Sequence, residues 1–324
     1  MKNLYVNETR GGIVEAKHKI HVTAFQGNNQ ILSIGEPNMI VPMRSVAKPF
    51  MLCPLMEDAA KSNIVLTPAM LSIMASSHNG EKKHRKLVQQ ILSLSDSSVT
   101  NLHCGSHLPY YPWLYDEFFS EKNYKSRQLF HNCSGKHAGM LLLASLMSVP
   151  KEEYWSTDHP VQRRITKSVR TLLEIGREEV FTLALDGCGV PTYCVKLKTI
   201  AKGFQSLYRQ NALIPIFEAI LTEPFFNSGT DRIEMEIINT CGSLAKTGSS
   251  GLFCLADKED DIGIAIKVED GNDEISEAAI VEVMAYLGLL DNDAKERLKQ
   301  YRELDILTST GLYAGKYDPV WEDK

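Results

Sequence analysis

The strands of this chain fall at its two ends, and that placement limits the available folds more than any other feature. Short apolar or alternating runs at Lys19–Phe25 and Gln30–Ile34, then at Gly251–Leu255 and Asp261–Val268, read as strands. Gly27-Asn28-Asn29 supplies a turn for an antiparallel hairpin, and a short charged turn joins the second pair. The stretch between reads as helix over Val46–Ala60, Pro68–Ala75, Lys82–Leu94, Gly135–Met147, His159–Ile175, Thr199–Arg209 and Asp231–Leu244, with a last helix over Glu274–Leu289. Strands at both ends with helices between imply an α+β fold. A largely antiparallel sheet is completed by the two chain termini and flanked by helices. Hairpin pairing excludes a doubly wound nucleotide-binding sheet.

No linker, low-complexity tract or fixed-period repeat interrupts the 324 residues, so a single domain over 1–324 is expected. A hydrophobic share of 44% is enough for a large core. The net charge of −5, without a basic block interleaved with aromatics, argues against nucleic acid as a partner. Met1–Arg10 lacks the apolar stretch of a signal peptide, and no run approaches the roughly 18 apolar residues of a membrane span. Seven cysteines, an odd number without scaffold spacing, fit a reducing cytoplasm.

The first chemical signal is Arg44-Ser45-Val46-Ala47-Lys48-Pro49. Pro49 is tolerated only in the first turn of a helix, so the helix begins near Ser45 and Lys48 returns to the same face. A serine hydroxyl needs a base beside it to attack, and a desolvated lysine can be that base. The ordinary alternative makes Ser45 a helix cap and Lys48 a solvated first-turn residue. Ser148–Lys151 and Ser243–Lys246 have the same spacing without a proline after the lysine.

Three further segments concentrate polar chemistry. Ser76-Ser77-His78-Asn79-Gly80 is a polar loop between an apolar helix and an amphipathic one. Asn132-Cys133-Ser134-Gly135-Lys136-His137 opens a helix that is then apolar all round, so that helix is central and presents Cys133, Lys136 and His137 into the interior. Asp186-Gly187-Cys188-Gly189 is a tight, glycine-bracketed loop with a carboxylate and a cysteine. Cys133 and Cys188 are candidate zinc ligands, with His78, His84 and His131 as spares, although no Cys-x-x-Cys or His pair makes this specific. Small buried thiols are the ordinary alternative. Lys246-Thr247-Gly248 resembles the Lys-Thr-Gly of Ser-x-x-Lys acyl-transfer enzymes. Lys267 lies in an otherwise apolar strand, where it is either a lysine of depressed pKa or an edge residue facing solvent.

In order, these segments, together with Leu102-His103-Cys104-Gly105-Ser106-His107-Leu108-Pro109, Asp158-His159-Pro160-Val161-Gln162 and Val190-Pro191-Thr192-Tyr193, resemble the asparaginase II family of the rhizobial, Ser–Lys type. The resemblance covers about Gly11 to Leu289. It implies a fold like that of serine β-lactamases and glutaminases, a homodimer, and an amidohydrolase that converts L-asparagine to L-aspartate and ammonia through an acyl-enzyme. It implies two Ser–Lys pairs, Ser45 with Lys48 and Ser77 with Lys267. It also implies zinc (Zn2+) on Cys133, Lys136 and Cys188, assisting substrate binding. Arg44, Asp186 and His137 are assigned to the substrate by residue type and position. Where that family usually reads Lys-x-Gly-Ala-Glu-Gly, this chain has Lys246-Thr247-Gly248-Ser249-Ser250-Gly251, which removes a carboxylate. A zinc-dependent amidohydrolase and a catalytically silent zinc- or amino-acid-binding protein remain the alternatives.

Overall fold

The first and last strands of the chain pair with each other. In the computed structural model, which describes residues 2–323, Lys2–Arg10 runs antiparallel to Tyr313–Asp323, with Leu4 opposite Trp321. The chain turns at Gly11-Gly12 into Ile13–Gln26, the long strand around which the sheet is organised. One edge of that strand pairs with Lys2–Arg10 and then with Asn29–Ile34; its other edge pairs with Ile262–Val268. Leu252–Asp257 and Leu244–Thr247 extend the sheet on that side, and Asp305–Leu307 closes the other. These pairings are all antiparallel, as the hairpin signals require.

Ile262–Val268 is an interior strand, so Lys267 is not on an edge. Its apolar residues are buried because helices Leu197–Ser206 and Asp273–Tyr286 pack against it. Asp273–Tyr286 starts where Asn272 accepts the Ile275 amide, an N-cap that fixes its register. These elements belong to a unit of residues 2–46, 195–206 and 236–323.

A second unit, residues 47–194 and 207–235, is mostly helical. Its centre is the helix Ser134–Leu146, buried without interruption from Ser134 to Ala144. Helices Cys53–Lys61, Pro68–Met74 and Lys82–Ser93 surround it. Burying each leucine of the Leu141–Leu143 run contributes about 1.5–3 kcal/mol, which is why an all-apolar helix must be central. Gly80 follows the Pro68–Met74 helix at φ +80°, and a Cβ there would lie 2.6 Å from the Phe130 carbonyl oxygen. Only glycine allows that loop to reach the start of the central helix.

Several elements differ from the sequence expectation. The helix expected over Val46–Ala60 is a 3-10 turn, Arg44–Ala47, followed by two helices, Lys48–Met51 and Cys53–Lys61. Pro49 and Pro54 each sit in the first turn of a helix, the only place a residue without an N–H fits. The helix expected over Asp231–Leu244 ends at Cys241, and Leu244 begins a strand instead. The helix Asn292–Arg302 and the hairpin Thr182–Leu185 with Pro191–Lys196 were not expected. Among the described residues, no helix is long and apolar enough to cross a membrane.

Candidate active site

Lys48 opens its short helix with a side chain only 1% exposed. The solvated first-turn alternative is therefore ruled out. Its ammonium donates to the Ser76 carbonyl and, at 3.1 Å, to Ser77 Oγ. Burial depresses the Lys48 ammonium below its ordinary range; nearby Cys133 opposes that shift and Lys136 adds to it. The sequence divided Lys48 and Ser77 between two pairs, whereas the folded chain brings them together.

Ser77 is held by its backbone. Its N–H donates to the Asn227 carbonyl at 3.1 Å, and Asn79 N–H donates to Ser228 O at 2.9 Å. His78 accepts the Gly80 amide on Nδ1 at 3.0 Å, so Nε2 carries the proton and donates to Ser134 Oγ at 3.0 Å. Ser134 in turn donates to the Leu129 carbonyl. The Ser77 loop is thus tied to the first turn of the central helix.

That first turn carries Cys133, Lys136 and His137. Cys188 reaches them from the Asp186–Val190 turn, where Asp186 N–H donates to Val190 O and Gly189 N–H to Asp186 O. Lys136 Nζ donates to Cys188 Sγ at 3.0 Å, and lies 3.6 Å from Asp186 Oδ2. The Cys133 thiol is held well below its usual range by a hydrogen bond from Cys188; burial opposes this, and the Lys48 and Lys136 ammoniums assist. Cys188 keeps its proton, pushed up by that shared bond and by burial. Burial alone would lower Lys136, but Cys188, Cys133 and Asp186 outweigh it and keep its ammonium charged. Among the described residues, no cluster of three His, Cys, Asp or Glu side chains poised for a metal is present.

His137 is fully buried, and its Nδ1 lies 2.6 Å from the Tyr154 hydroxyl. Burial, with the Lys136 charge, keeps the imidazole well below its ordinary pKa. Sequence reasoning missed Tyr154, whose only signal is an aromatic pair, Tyr154-Trp155, in a short polar stretch.

The remaining expected residues lie in the sheet-containing unit. Arg44 adopts φ +50°, a strained conformation for a non-glycine residue, immediately before the buried Ser45. Lys267 is half-buried and donates to its neighbour's carbonyl, Val268 O; burial lowers its pKa, against the pull of Asp270, Asp273 and Glu269. Lys246, in contrast, is completely buried in Leu244–Thr247.

Solved structures similar to this chain include a beta-lactamase from Mycobacterium bovis, at 12% identity and TM-score 0.39, covering 84% of this chain and 95% of that one. A simvastatin synthase from Aspergillus terreus matches at 11% and 0.42, covering 87% and 90%. A D-stereospecific amidohydrolase from Streptomyces sp. matches at 10% and 0.39, covering 80% and 92%. Likenesses this distant say nothing of the reaction. No curated protein matches the chain. A model of the family described as L-asparaginase II matches residues 6–319, nearly the whole length and both units, and the chain belongs to that family.

Proposed function

We propose that this amidohydrolase converts L-asparagine to L-aspartate and ammonia through a serine ester. The observation that carries the mechanism is Lys48, desolvated, depressed in pKa and hydrogen-bonded to a serine hydroxyl. A desolvated lysine gives up its proton more readily than a solvated one and can then act as a general base. Ser45 precedes it by one turn of chain and is the nucleophile. Neutral Lys48 takes the Ser45 proton as Oγ attacks the amide carbon. The C–N bond then breaks, the proton leaves with nitrogen as ammonia, and water cleaves the ester to aspartate and free Ser45. Ser77, hydrogen-bonded to Lys48, relays the proton. Arg44 and Asp186 match the substrate's α-carboxylate and α-ammonium.

Burial favours a second reading of one residue. A lysine with no exposed surface requires a partner or a task. Lys246, which donates to the Thr247 carbonyl at 3.2 Å, has no exposed surface whereas Lys267 is half-buried, so on burial Lys246 joins Lys267 as a candidate for the second catalytic lysine.

Zinc fits the residues around Cys133. Two thiols share a hydrogen bond, one is inclined to ionise, and a lysine nitrogen lies 3.0 Å from the other sulfur. Cys133, Lys136 and Cys188 would hold the ion once Cys188 and Lys136 give up the protons they keep without it, so occupancy should weaken as pH falls; when bound, the ion supplies a positive anchor for substrate oxygen. Elemental analysis after zinc is supplied should find it in the native protein and not in Cys133→Ser. Equal content in both would contradict the assignment. A cytoplasmic homodimer completes the proposal; the cysteines are free thiols, a state that a reducing compartment preserves.

The test is ammonia release from L-asparagine, with L-glutamine as comparison. Turnover of L-asparagine supports the proposal. A folded, zinc-supplied protein that releases no ammonia from it would be a binding protein instead.

A further inference from the structure

Two of the sequence blocks that the catalytic proposal does not use, those around His103 and Gln162, converge on Tyr154. The His103 N–H donates to the Tyr154 hydroxyl oxygen at 3.0 Å. Gln162 donates its side-chain amide to the Tyr154 carbonyl at 2.8 Å. Trp155 stacks on the His103 ring, with centroids 3.4 Å apart and planes 5° apart. The Tyr154 ring meets His137 edge-on, with centroids 5.6 Å apart. The phenol is fully buried and held at both ends.

This arrangement fixes where His137 keeps its proton. Tyr154 oxygen already accepts the His103 N–H, and its own proton needs an acceptor. If His137 Nδ1 accepts that proton, the phenol is satisfied and the imidazole hydrogen sits on Nε2. If Nδ1 carried the hydrogen, two groups would lack a partner, the phenol O–H and the Nε2 lone pair. The first arrangement leaves one. The atom it leaves is Nε2, which is buried and has no hydrogen-bond partner among the described residues. A buried donor of this kind, beside Lys136 on the turn that also carries Cys133, is poised for a ligand that brings an oxygen.

We propose that Tyr154 is a positioning residue that locks His137 as the Nε2–H tautomer, and that this N–H binds a carboxylate or carbonyl oxygen of an amide-bearing amino acid in the ground state. The ligand half of this inference rests on the proposed hydrolase activity; the tautomer half does not.

Nitrogen NMR of 15N-histidine-labelled protein reads the tautomer directly, with the His137 signals identified by their loss in His137→Gln. Native protein is expected to show the hydrogen on Nε2. Folded Tyr154→Phe should show a shift toward Nδ1–H and a KM for L-asparagine raised about tenfold, with kcat changed far less. His137→Gln, whose amide can place an N–H near the Nε2 position, should keep KM closer to native than His137→Asn. Addition of L-aspartate should move the native Nε2 resonance. This last readout holds even if the protein releases no ammonia, so failure of the hydrolase reading and failure of this one are distinguishable. A native His137 with its hydrogen on Nδ1 would overturn the proposal. So would a folded Tyr154→Phe with unchanged KM, or an Nε2 resonance that ignores L-aspartate.

Discussion

At Lys48, burial works against charge, and the site makes use of the result. Burial outweighs the carbonyl and hydroxyl that accept from the ammonium and the pull of Cys133, so its folded pKa lies below the ordinary 10.5. The basic form therefore gains ground as pH rises, and kcat/KM should climb with an apparent pKa below that value. Lys48→Met keeps the length and apolar bulk while removing the base. It should lower kcat roughly 10²–10⁴-fold with the melting temperature little changed, because removing the desolvated ammonium offsets the donor that the Ser76 carbonyl loses. Circular dichroism beside an ammonia assay checks both; a folded variant of near-native activity would contradict the role. Lys48, Cys133, Lys136 and Cys188 were legible in the sequence as polar residues pressed against apolar helix or glycine-bracketed turn. Tyr154 was not, since its role depends on His103 and Gln162, contacts that no local pattern encodes.

Among the elements, the central helix was the most legible, because eleven consecutive buried residues, Ser134–Ala144, leave no polar face to hide the signal. The strand Lys2–Arg10 was the least, since only Leu4 and Val6 are buried in it and its pairing is with the far end of the chain. Strand position also separates the two candidate lysines. Both ammoniums donate to the carbonyl of the next residue, Thr247 and Val268, but Lys246→Met removes a lysine with no exposure and Lys267→Met one that is half-buried. Lys246→Met should lower kcat by orders of magnitude while Lys267→Met costs at most a few-fold. The reverse ranking, with both variants folded, would decide for Ser77 and Lys267 as the second pair.

Over the whole molecule, several imidazoles are stored neutral. Burial is the largest cause for His21, His78 and His84, and each has its pKa lowered from 6.5. The sign follows from linkage. Above 6.5 neither the folded nor the unfolded chain protonates these rings, and their contribution to stability is complete. As pH falls below 6.5 the unfolded chain takes up protons that the folded chain refuses, and stability erodes until the folded pKa values are passed. The melting temperature should drop by on the order of 5 °C between pH 7.5 and 5.5. A flat profile would mean that these rings are protonated in the fold. The sheet completed by both termini was foreseen from the placement of the hairpins, and the two compact units are marked by no linker in the sequence. What joins fold to chemistry is the identity of the nucleophile, and one assay decides it: ammonia release from L-asparagine by folded Ser45→Ala. The mechanism requires release to fall to background while the melting temperature stays within a few degrees of native, since losing one hydroxyl hydrogen bond costs about 0.5–1.5 kcal/mol. Turnover near the native rate would contradict it and move the attack to Ser77 or to a metal-bound water.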